Sequence, residues 1–257
     1  MTKYIREARF GAPKSQKTRM VTGTYPKPML VLEYDPGGMT VDLSPGYSGP
    51  ITWVKVDEAI ALLKKPTAEL PQLVVVDMAG ICTTELDVAY SPLKDAQTFP
   101  ETIKLVNALV RQCPFKTVVL DTITGLSDAI YGHQAVMNTA ALADARKWAG
   151  NIGMKVKQVI EVTHRINAHT VTIFHEETDK NELTGEIRTF PMMYSKVREM
   201  VAALFDQFVQ ATEVGGKPVI ITKASGLVKG IGMRWPSGLP EKCPADFQSI
   251  YGKEKLS

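Results

Sequence analysis

Two short apolar runs, each ending in an aspartate, constrain the fold of this chain more than any other feature. They are Leu73-Val-Val-Val-Asp77 and Thr117-Val-Val-Leu-Asp121. A strand that is apolar at every position is covered on both faces, as in a parallel sheet that lies between helices. Similar runs at Met29–Tyr34 and Thr170–His175 alternate with longer helical stretches. The pattern predicts an α/β fold with a mostly parallel central sheet.

Two helical segments and a hairpin complete the expected fold. Pro100–Cys113 carries its apolar residues on one face and stops before Pro114, which predicts a helix. A longer helix is expected over Gln134–Ile160, with a break near Gly150–Gly153. Across Leu204–Thr222 an alternating run, a Gly-Gly turn and a second apolar run predict an antiparallel hairpin that closes the sheet.

Composition limits the class of protein. The 257 residues contain no repeats or linker-like stretches, so we expect one domain over residues 1–257. The content of 44% hydrophobic and 22% charged residues excludes a disordered or collagen-like chain. No apolar run approaches the roughly 20 residues of a membrane span, and the N-terminus lacks an export signal. Three scattered cysteines predict a reducing, cytoplasmic location, and the net charge of +3 does not by itself indicate nucleic-acid binding.

The segment Gly11-Ala-Pro-Lys-Ser-Gln-Lys-Thr18, here called the phosphate loop, approaches a known pattern: Gly, four residues, Gly-Lys, then Ser or Thr. In such loops backbone N–H groups surround a phosphate, the lysine reaches the β/γ oxygens and the hydroxyl binds Mg²⁺. Gln16 occupies the second glycine position, where a side chain would crowd the loop. A chance Gly/Pro turn is the alternative. The residues predicted to bind ATP are Gly11, Ala12, Pro13, Lys14, Ser15, Gln16, Lys17 and Thr18.

A carboxylate at the end of an apolar strand is expected to complete the Mg²⁺ site with Thr18. Asp121 is preferred to Asp77 because a well-marked helix precedes its strand and the small polar turn Thr122-Ile-Thr-Gly follows it. That turn lies at the carboxyl end of the strand, where open α/β sheets bind ligands. The alternative for either aspartate is a helix N-cap.

A third acidic candidate follows the Met29–Tyr34 strand, in Leu30-Val-Leu-Glu-Tyr-Asp-Pro-Gly-Gly38. Asp35 is the preferred general base for orienting the water that attacks the γ-phosphate, and Glu33 is the second choice. The alternative is that Asp-Pro-Gly-Gly forms only a turn.

The strand Thr170–His175 also ends in polar residues at this edge of the sheet. His175 there predicts a hydrogen bond to the γ-phosphate, with Glu176 in support; a structural histidine is the alternative. The other three histidines lack metal-ligand spacing with the cysteines, so no zinc site is predicted.

In order and content these motifs resemble phage-encoded, RecA-like P-loop ATPases of the AAA-type recombination family, which work with single-strand annealing and single-strand-binding proteins. The resemblance spans nearly the whole chain. The sequence departs from the family pattern at Gln16, which occupies the most diagnostic position, the second glycine of the loop. The matching segments are Gly11 to Thr18, Asp35-Pro-Gly-Gly, Val119 to Leu126, Lys147-Trp148, His175-Glu176 and Lys223 to Arg234.

The resemblance implies a RecA-like P-loop NTPase fold with ATP and Mg²⁺ as ligands. It gives Lys17 and Thr18 the phosphate and Mg²⁺ roles, Asp121 the second Mg²⁺ carboxylate and Asp35 the base. Such proteins act as homo-oligomeric rings or filaments in which a neighbour supplies a basic finger. The candidates for this finger are Lys223, Lys229 and Arg234. The alternative is that these residues are ordinary surface charges on a hairpin.

DNA contact is implied by the family at a mobile segment over Glu177–Arg188 and at the basic hairpin. The implied partners are single-stranded DNA and a single-strand-binding protein, in the cytoplasm of an infected bacterium. The expected function is therefore a Mg²⁺-dependent, DNA-stimulated ATPase of phage DNA recombination or repair.

Two alternatives to this function remain. Gln16 favours a degenerate P-loop protein that serves as a binding or scaffold module. A small-molecule kinase ranks third, because Glu177–Arg188 holds one arginine where such kinases carry an arginine-bearing lid.

Overall fold

This computed structural model describes residues 4–13, 15–35, 47–79, 97–137, 145–180, 182, 187–193, 200–224, 231–234, 236 and 238–252. The strands in these ranges are β1 Arg6–Gly11, β2 Met29–Glu33, β3 Ile51–Val54, β4 Leu73–Asp77, β5 Thr117–Asp121, β6 His169–Lys180, β7 Ile187–Pro191, β8 Gln207–Val214, β9 Lys217–Ile221, β10 Gly232–Met233 and β11 Lys242–Pro244. The α-helices are α1 Lys17–Thr24, α2 Val56–Leu62, α3 Thr98–Arg111, α4 Ile123–Met137, α5 Ala145–Thr163 and α6 Phe247–Tyr251.

All of these strands join one sheet, in the order β11-β9-β8-β1-β6-β5-β2-β4-β3. The neighbouring pairs from β8 to β3 are parallel. Strands β9 and β11 continue the sheet antiparallel beyond β8, while β10 pairs with β8 and β7 with β6. The predicted α/β class, with a mostly parallel sheet and an antiparallel C-terminal hairpin, is confirmed.

Side chains alternate between two hydrophobic layers, one on each face of the sheet. In β2, Leu30 and Leu32 pack in the layer that contains the buried faces of α2 to α5. Met29 and Val31 pack in the other layer, with residues of α1 and α6. Because both faces are covered, β2, β4 and β5 are apolar at nearly every position, as the sequence predicted.

Two local predictions differ from the structure. Strand β6 continues to Lys180 and pairs with Ile187–Pro191, so part of the expected mobile segment Glu177–Arg188 is a β-hairpin. The expected break at Gly150–Gly153 is wrong: both glycines lie within α5, whose apolar residues hold it against the core. Residues 138–144, which fall inside the predicted helix Gln134–Ile160, lie outside the described residues.

Strand β1 is unusually polar because it carries a buried ion pair. Glu7 and Arg9 are both fully buried, and the guanidinium donates to the carboxylate. Arg9 also donates to the Tyr25 hydroxyl at 2.7 Å, while the hydroxyls of Tyr25 and Tyr251 donate to Glu7. Burial is the largest single influence and would lower the pKa of Arg9, but the charge and hydrogen bond of Glu7, together with Tyr25 and Tyr251, outweigh it and the pKa is raised. Because both buried charges are paired and hydrogen-bonded, this polar strand can lie in the core.

Candidate functional site

The phosphate loop connects the end of β1 to the start of α1, at the carboxyl edge of the sheet. A Cβ atom at Gly11 would lie 2.4 Å from the backbone oxygen of Ala211 in β8, so only glycine fits at this close approach. The sheet neighbour therefore fixes where the loop begins.

Lys17 lies inside the loop rather than in solvent. Its Nζ donates to the carbonyl oxygens of Gly11 and Ala12, both at 2.8 Å, and lies 3.3 Å from Oγ of Ser15. Burial lowers the pKa of Lys17, although Asp121, Glu176 and Asp35 act in the opposite direction. The ammonium group is thus held over the loop by backbone oxygens that a phosphate oxygen can replace.

Gln16 takes the backbone conformation that explains why glycine is usual at this position. Its φ of 61° and ψ of 21° lie in the left-handed region, which costs a residue with a side chain roughly 1–2 kcal/mol. The side chain donates from Nε2 to a Glu213 carboxylate oxygen at 3.3 Å, toward the β8–β9 hairpin. The loop keeps its left-handed turn, and the Gln16 side chain lies on its rim.

Thr18 and Asp121 form the candidate Mg²⁺ site. The Thr18 hydroxyl donates to Oδ2 of Asp121 at 2.6 Å. Burial is the main factor that raises the pKa of Asp121, to about 6, with the hydrogen bond from Thr18 and the charge of Lys17 opposing it. Among the described residues, no three or more His, Cys, Asp or Glu side chains are grouped to hold a metal. Nucleotide-bound Mg²⁺ needs only one or two protein oxygens beside the phosphates, so this pair fits it.

Asp35 lies beside His175 and the turn after β5. One carboxylate oxygen is 3.1 Å from Nε2 of His175, and the other accepts from the Thr122 hydroxyl at 2.8 Å. A Cβ atom at Gly125 would lie 2.9 Å from Oδ1 of Asp35 and 2.8 Å from the backbone oxygen of Tyr34. Gly125 is therefore needed for Asp35 to approach α4.

Glu33 has a different environment from Asp35. It is 2% exposed, and its Oε2 has no hydrogen-bond partner among the described residues. Burial, followed by the charges of Asp121, Asp35 and Asp77, raises the pKa of Glu33 to about 10. Glu33 is therefore protonated at neutral pH, and of the two predicted bases only Asp35 is a partly exposed carboxylate.

These groups surround one cavity of about 410 Å³, here called the phosphate cavity. Arg19 and Thr122 are lining residues that were not among the predicted site residues; Arg19 follows Lys17 and Thr18 directly, on the first turn of α1. Gly11, Ala12 and Ser15 contact Lys17 from the loop, and Lys14 lies outside the described residues. The lining residues are Pro13, Gln16, Lys17, Thr18, Arg19, Glu33, Asp35, Asp121, Thr122 and His175.

Two of the finger candidates, Lys223 and Arg234, do not line this cavity. Arg234 lies at the amino edge of the sheet, where its backbone N–H donates to Asp206 and its side chain donates to the Ala203 carbonyl at 3.0 Å. Lys223 is exposed just after β9, and Lys229 lies outside the described residues. Among the described residues, neither Lys223 nor Arg234 therefore lines the chain's own phosphate cavity.

Comparison with known proteins identifies the family. A family model described as an AAA domain matches residues 50–230. The chain belongs to this AAA domain family. The matched span of the AAA domain begins after the phosphate loop and covers β3 to β9.

Among solved structures, the crystal structure of the RadB recombinase is similar to this AAA domain. The identity is 10%, over 85% of this chain and 81% of that chain, with a TM-score of 0.38. No curated protein matches the sequence.

The AAA domain has an α/β fold with a mostly parallel sheet and antiparallel C-terminal strands, and its family implies ATP binding. A separate finding concerns its helices: within the described ranges, none is both long enough and apolar enough to cross a membrane.

Proposed function

We propose that this protein is a Mg²⁺-dependent ATPase that is stimulated by DNA and acts in phage DNA recombination or repair. The observation that carries the ATPase part is the convergence of Lys17, Thr18, Asp121, Asp35 and His175 on the phosphate cavity. These side chains come from α1, β5, the middle of β6 and the residue pair after β2, which are distant in sequence. These side chains meet beside a loop that begins with a glycine. That arrangement favours a site for phosphoryl transfer over the alternative, a chance Gly/Pro turn.

Binding of the triphosphate is assigned to the loop and to the first turn of α1. The loop N–H groups and the Lys17 ammonium take the phosphate oxygens, and Lys17 exchanges its bonds to Gly11 and Ala12 for bonds to phosphate. Thr18 and Asp121 would hold Mg²⁺, which when bound neutralises charge on the phosphates.

Hydrolysis is assigned to Asp35. Its carboxylate accepts a proton from the water whose oxygen attacks the γ-phosphorus, and the bond from that phosphorus to the bridging oxygen breaks to release ADP. Thr122 and His175 hold the two oxygens of Asp35, which fixes the orientation of the base. His175 is also the side chain expected to hydrogen-bond the γ-phosphate.

The DNA part of the proposal rests on the family resemblance and on the position of the β6–β7 hairpin. His175 lies in β6 just before the segment that pairs with β7. Glu176 follows it and accepts from Gln210 of β8 at 3.0 Å. A change at His175 on nucleotide binding therefore has a direct covalent route to the hairpin proposed to contact single-stranded DNA.

The proposed partners beyond ATP are single-stranded DNA, a single-strand-binding protein and further copies of the chain. In a ring or filament, Lys223, Lys229 and Arg234 are the proposed fingers that reach a neighbour's site. Lys223 and Arg234 do not line the chain's own phosphate cavity, which is compatible with action across a subunit interface.

A degenerate, non-hydrolysing scaffold module is the second candidate, and the backbone of Gln16 is the observation that favours it. A Gln16→Gly variant separates the two. If Gln16 impairs the loop, this variant gains nucleotide affinity; if the loop already works, the affinity changes little.

The test of the ATPase proposal is a titration with a fluorescent ATP analogue, with and without Mg²⁺. Lys17→Ala is expected to lose binding, whereas Lys104→Ala, at an exposed ion pair outside the cavity, is the matched control. Turnover is then measured with and without single-stranded DNA. Equal binding by Lys17→Ala and the control, with both folded, contradicts the proposal.

A further inference from the structure

The amino edge of the sheet, opposite the phosphate cavity, carries a row of basic side chains. Strands β2, β5, β6 and β1 are consecutive neighbours and run parallel, so their first residues share this edge. Each strand start brings one cation: Lys27 before β2, Lys116 before β5, Arg165 in the turn before β6 and Arg6 at the start of β1. These four residues are here called the basic edge.

Backbone hydrogen bonds fix the order of the basic edge. The N–H of Lys116 donates to the Pro28 carbonyl at 2.8 Å, and the Lys116 carbonyl accepts from the N–H of His169 at 2.9 Å. The Arg6 guanidinium donates to three carbonyl oxygens of the turn that contains Arg165, at 2.9–3.2 Å. Neighbouring strands lie about 4.8 Å apart, so the row extends over about 14 Å of a rigid sheet margin.

Two members of the basic edge are available to a partner. Lys116 and Arg165 are exposed, and neither has a carboxylate partner within the part of the chain that the structure describes. Lys27 and Arg6 are half-buried and donate to backbone carbonyls. These two therefore add positive charge behind the exposed pair.

Carboxylates near the row leave this charge in place. Asp206, at the start of β8, is 3.9 Å from the guanidinium of Arg234, and Glu161, in the last turn of α5, is 3.6 Å from Nζ of Lys157. Both therefore have cations of their own. The connection from α2 to β4 reaches the segment before β5 through a hydrogen bond. Its exposed charged residues are Lys64, Lys65 and Glu69.

A straight row of fixed cations suits a phosphodiester backbone. One strand of B-DNA has a phosphate about every 3.4 Å along its axis, so the row faces about four phosphates. Proteins that bind single strands add aromatic rings on which bases stack. The rings beside the basic edge, Tyr4 and Tyr47, are half-buried and have the cations of Arg6 and Lys27 over their faces. The basic edge therefore offers charge for a backbone rather than a platform for bases.

We propose that the basic edge binds the phosphate backbone of duplex DNA, independently of base sequence and of nucleotide. This contact is separate from the one proposed for single-stranded DNA, because the β6–β7 hairpin extends from the carboxyl end of the sheet. The carboxylates of Asp35, Asp77 and Asp121 lie at that carboxyl edge. The duplex is thus held at the edge of the sheet that lacks this acidic group.

The test is fluorescence anisotropy with a labelled duplex of roughly 20 base pairs, without nucleotide, in about 50 to 200 mM NaCl. For the wild type, log K against log salt is expected to have a slope of about −2.7 or steeper, from three or more neutralised phosphates. Lys116→Gln with Arg165→Gln is expected to weaken binding at least about tenfold and to reduce the slope by about 1.8. The matched control is Lys55→Gln with Lys217→Gln, which removes the same charge from exposed positions at the carboxyl edge.

Four outcomes would overturn this inference. They are no duplex binding by the wild type at low salt, equal losses in the two double variants, a single strand of the same length that binds as tightly as the duplex, and binding of a polyglutamate peptide in place of the duplex. The last would assign the basic edge to an acidic protein. The wild-type comparisons decide the matter even if a variant does not fold, as judged by circular dichroism.

The same measurement on Lys17→Ala separates this inference from the proposed function. That variant is expected to keep the wild-type duplex affinity, because the phosphate loop lies at the opposite edge of the sheet. Failure of ATP binding therefore leaves the basic edge standing, and failure of duplex binding leaves the nucleotide site standing. A loss of duplex affinity in folded Lys17→Ala contradicts nucleotide-independent binding at the basic edge.

Discussion

The Thr18 hydroxyl donates a hydrogen bond to Oδ2 of Asp121 at 2.6 Å, across 103 positions of sequence. The bond joins the first turn of α1 to the carboxyl end of β5, although β6 separates β1 from β5 in the sheet. Thr18 is 7% exposed and Asp121 is 2% exposed. A hydroxyl and a carboxylate so placed beside a phosphate loop are the two protein oxygens that a Mg²⁺–nucleotide complex requires.

Replacement of Asp121 by Asn tests this pair. The substitution keeps the size of the side chain and an oxygen that can accept from Thr18, but it removes the charge that attracts a cation. We expect Mg²⁺-ATP to bind at least about tenfold more weakly, and ATP in EDTA to bind at least as well as before. Asp77→Asn is the control, because Asp77 ends β4 at the same sheet edge but does not line the phosphate cavity. Equal effects of the two substitutions contradict the assignment.

Turnover measurements on two variants test whether Asp35 or Glu33 is the general base. Asp35→Asn is expected to lower the ATP hydrolysis rate by about 10²-fold or more, since a general base contributes roughly that factor. Glu33→Gln is expected to stay within about threefold, because a carboxyl group with a pKa of about 10 carries its proton at neutral pH. Single-turnover measurements at pH 7.5 give both rates. If Glu33→Gln lowered the hydrolysis rate more than Asp35→Asn did, Glu33 would be the general base.

Glu33 also predicts how stability depends on pH. Its pKa is raised from 4.5 to about 10, so between these values the folded protein holds a proton that the unfolded chain releases. Stability therefore falls as pH rises through this window. Glu33→Gln is expected to remove that slope and to add about 1–3 kcal/mol at pH 8. Melting temperatures at pH 6 and pH 9 measure the effect, with the exposed Glu69→Gln as control.

The sequence predicted the exact bounds of β4 and β5. Strands that are buried on both faces are apolar throughout, and such a run can be recognised from neighbouring residues alone. The sequence of β1 predicts a strand less clearly, because Glu7 and Arg9 interrupt its apolar pattern. In the fold these two side chains are buried with hydrogen bonds to Tyr25 and to Tyr251, which lies near the far end of the chain. No local pattern reveals a partner 244 positions away.

Within the site, sequence patterns predicted which residue types belong there but not how they meet. The pairing of Asp35 with His175 spans 140 positions and depends on the order of strands in the sheet. The same limit applies to the three-residue strand β11. A run as short as Lys-Cys-Pro carries no strand period, so only its pairing with β9 defines it.

Gly125→Ala tests whether the approach of Asp35 to α4 matters. The new methyl group would lie 2.8–2.9 Å from Tyr34 and Asp35 atoms, closer than van der Waals contact allows, so Asp35 must shift. We expect turnover to fall at least about tenfold with nucleotide affinity kept within about threefold. Gly150→Ala in α5 is the matched control, because among the described residues no atom outside the helix's own backbone lies within 4 Å of its added Cβ. Turnover equal to that of the control would show that the position of Asp35 is not critical.

The buried pair of Glu7 and Arg9 gives a prediction for stability. Arg9→Met leaves the Glu7 carboxylate buried with only tyrosine donors, and we expect a loss of about 3–5 kcal/mol. The double variant Glu7→Leu with Arg9→Met removes both charges and is expected to recover at least half of that loss, because no unpaired ion remains in the core. Urea unfolding of the wild type, both single variants and the double variant gives the coupling energy. If the losses of the single variants simply add in the double variant, the Glu7 and Arg9 side chains do not stabilise each other.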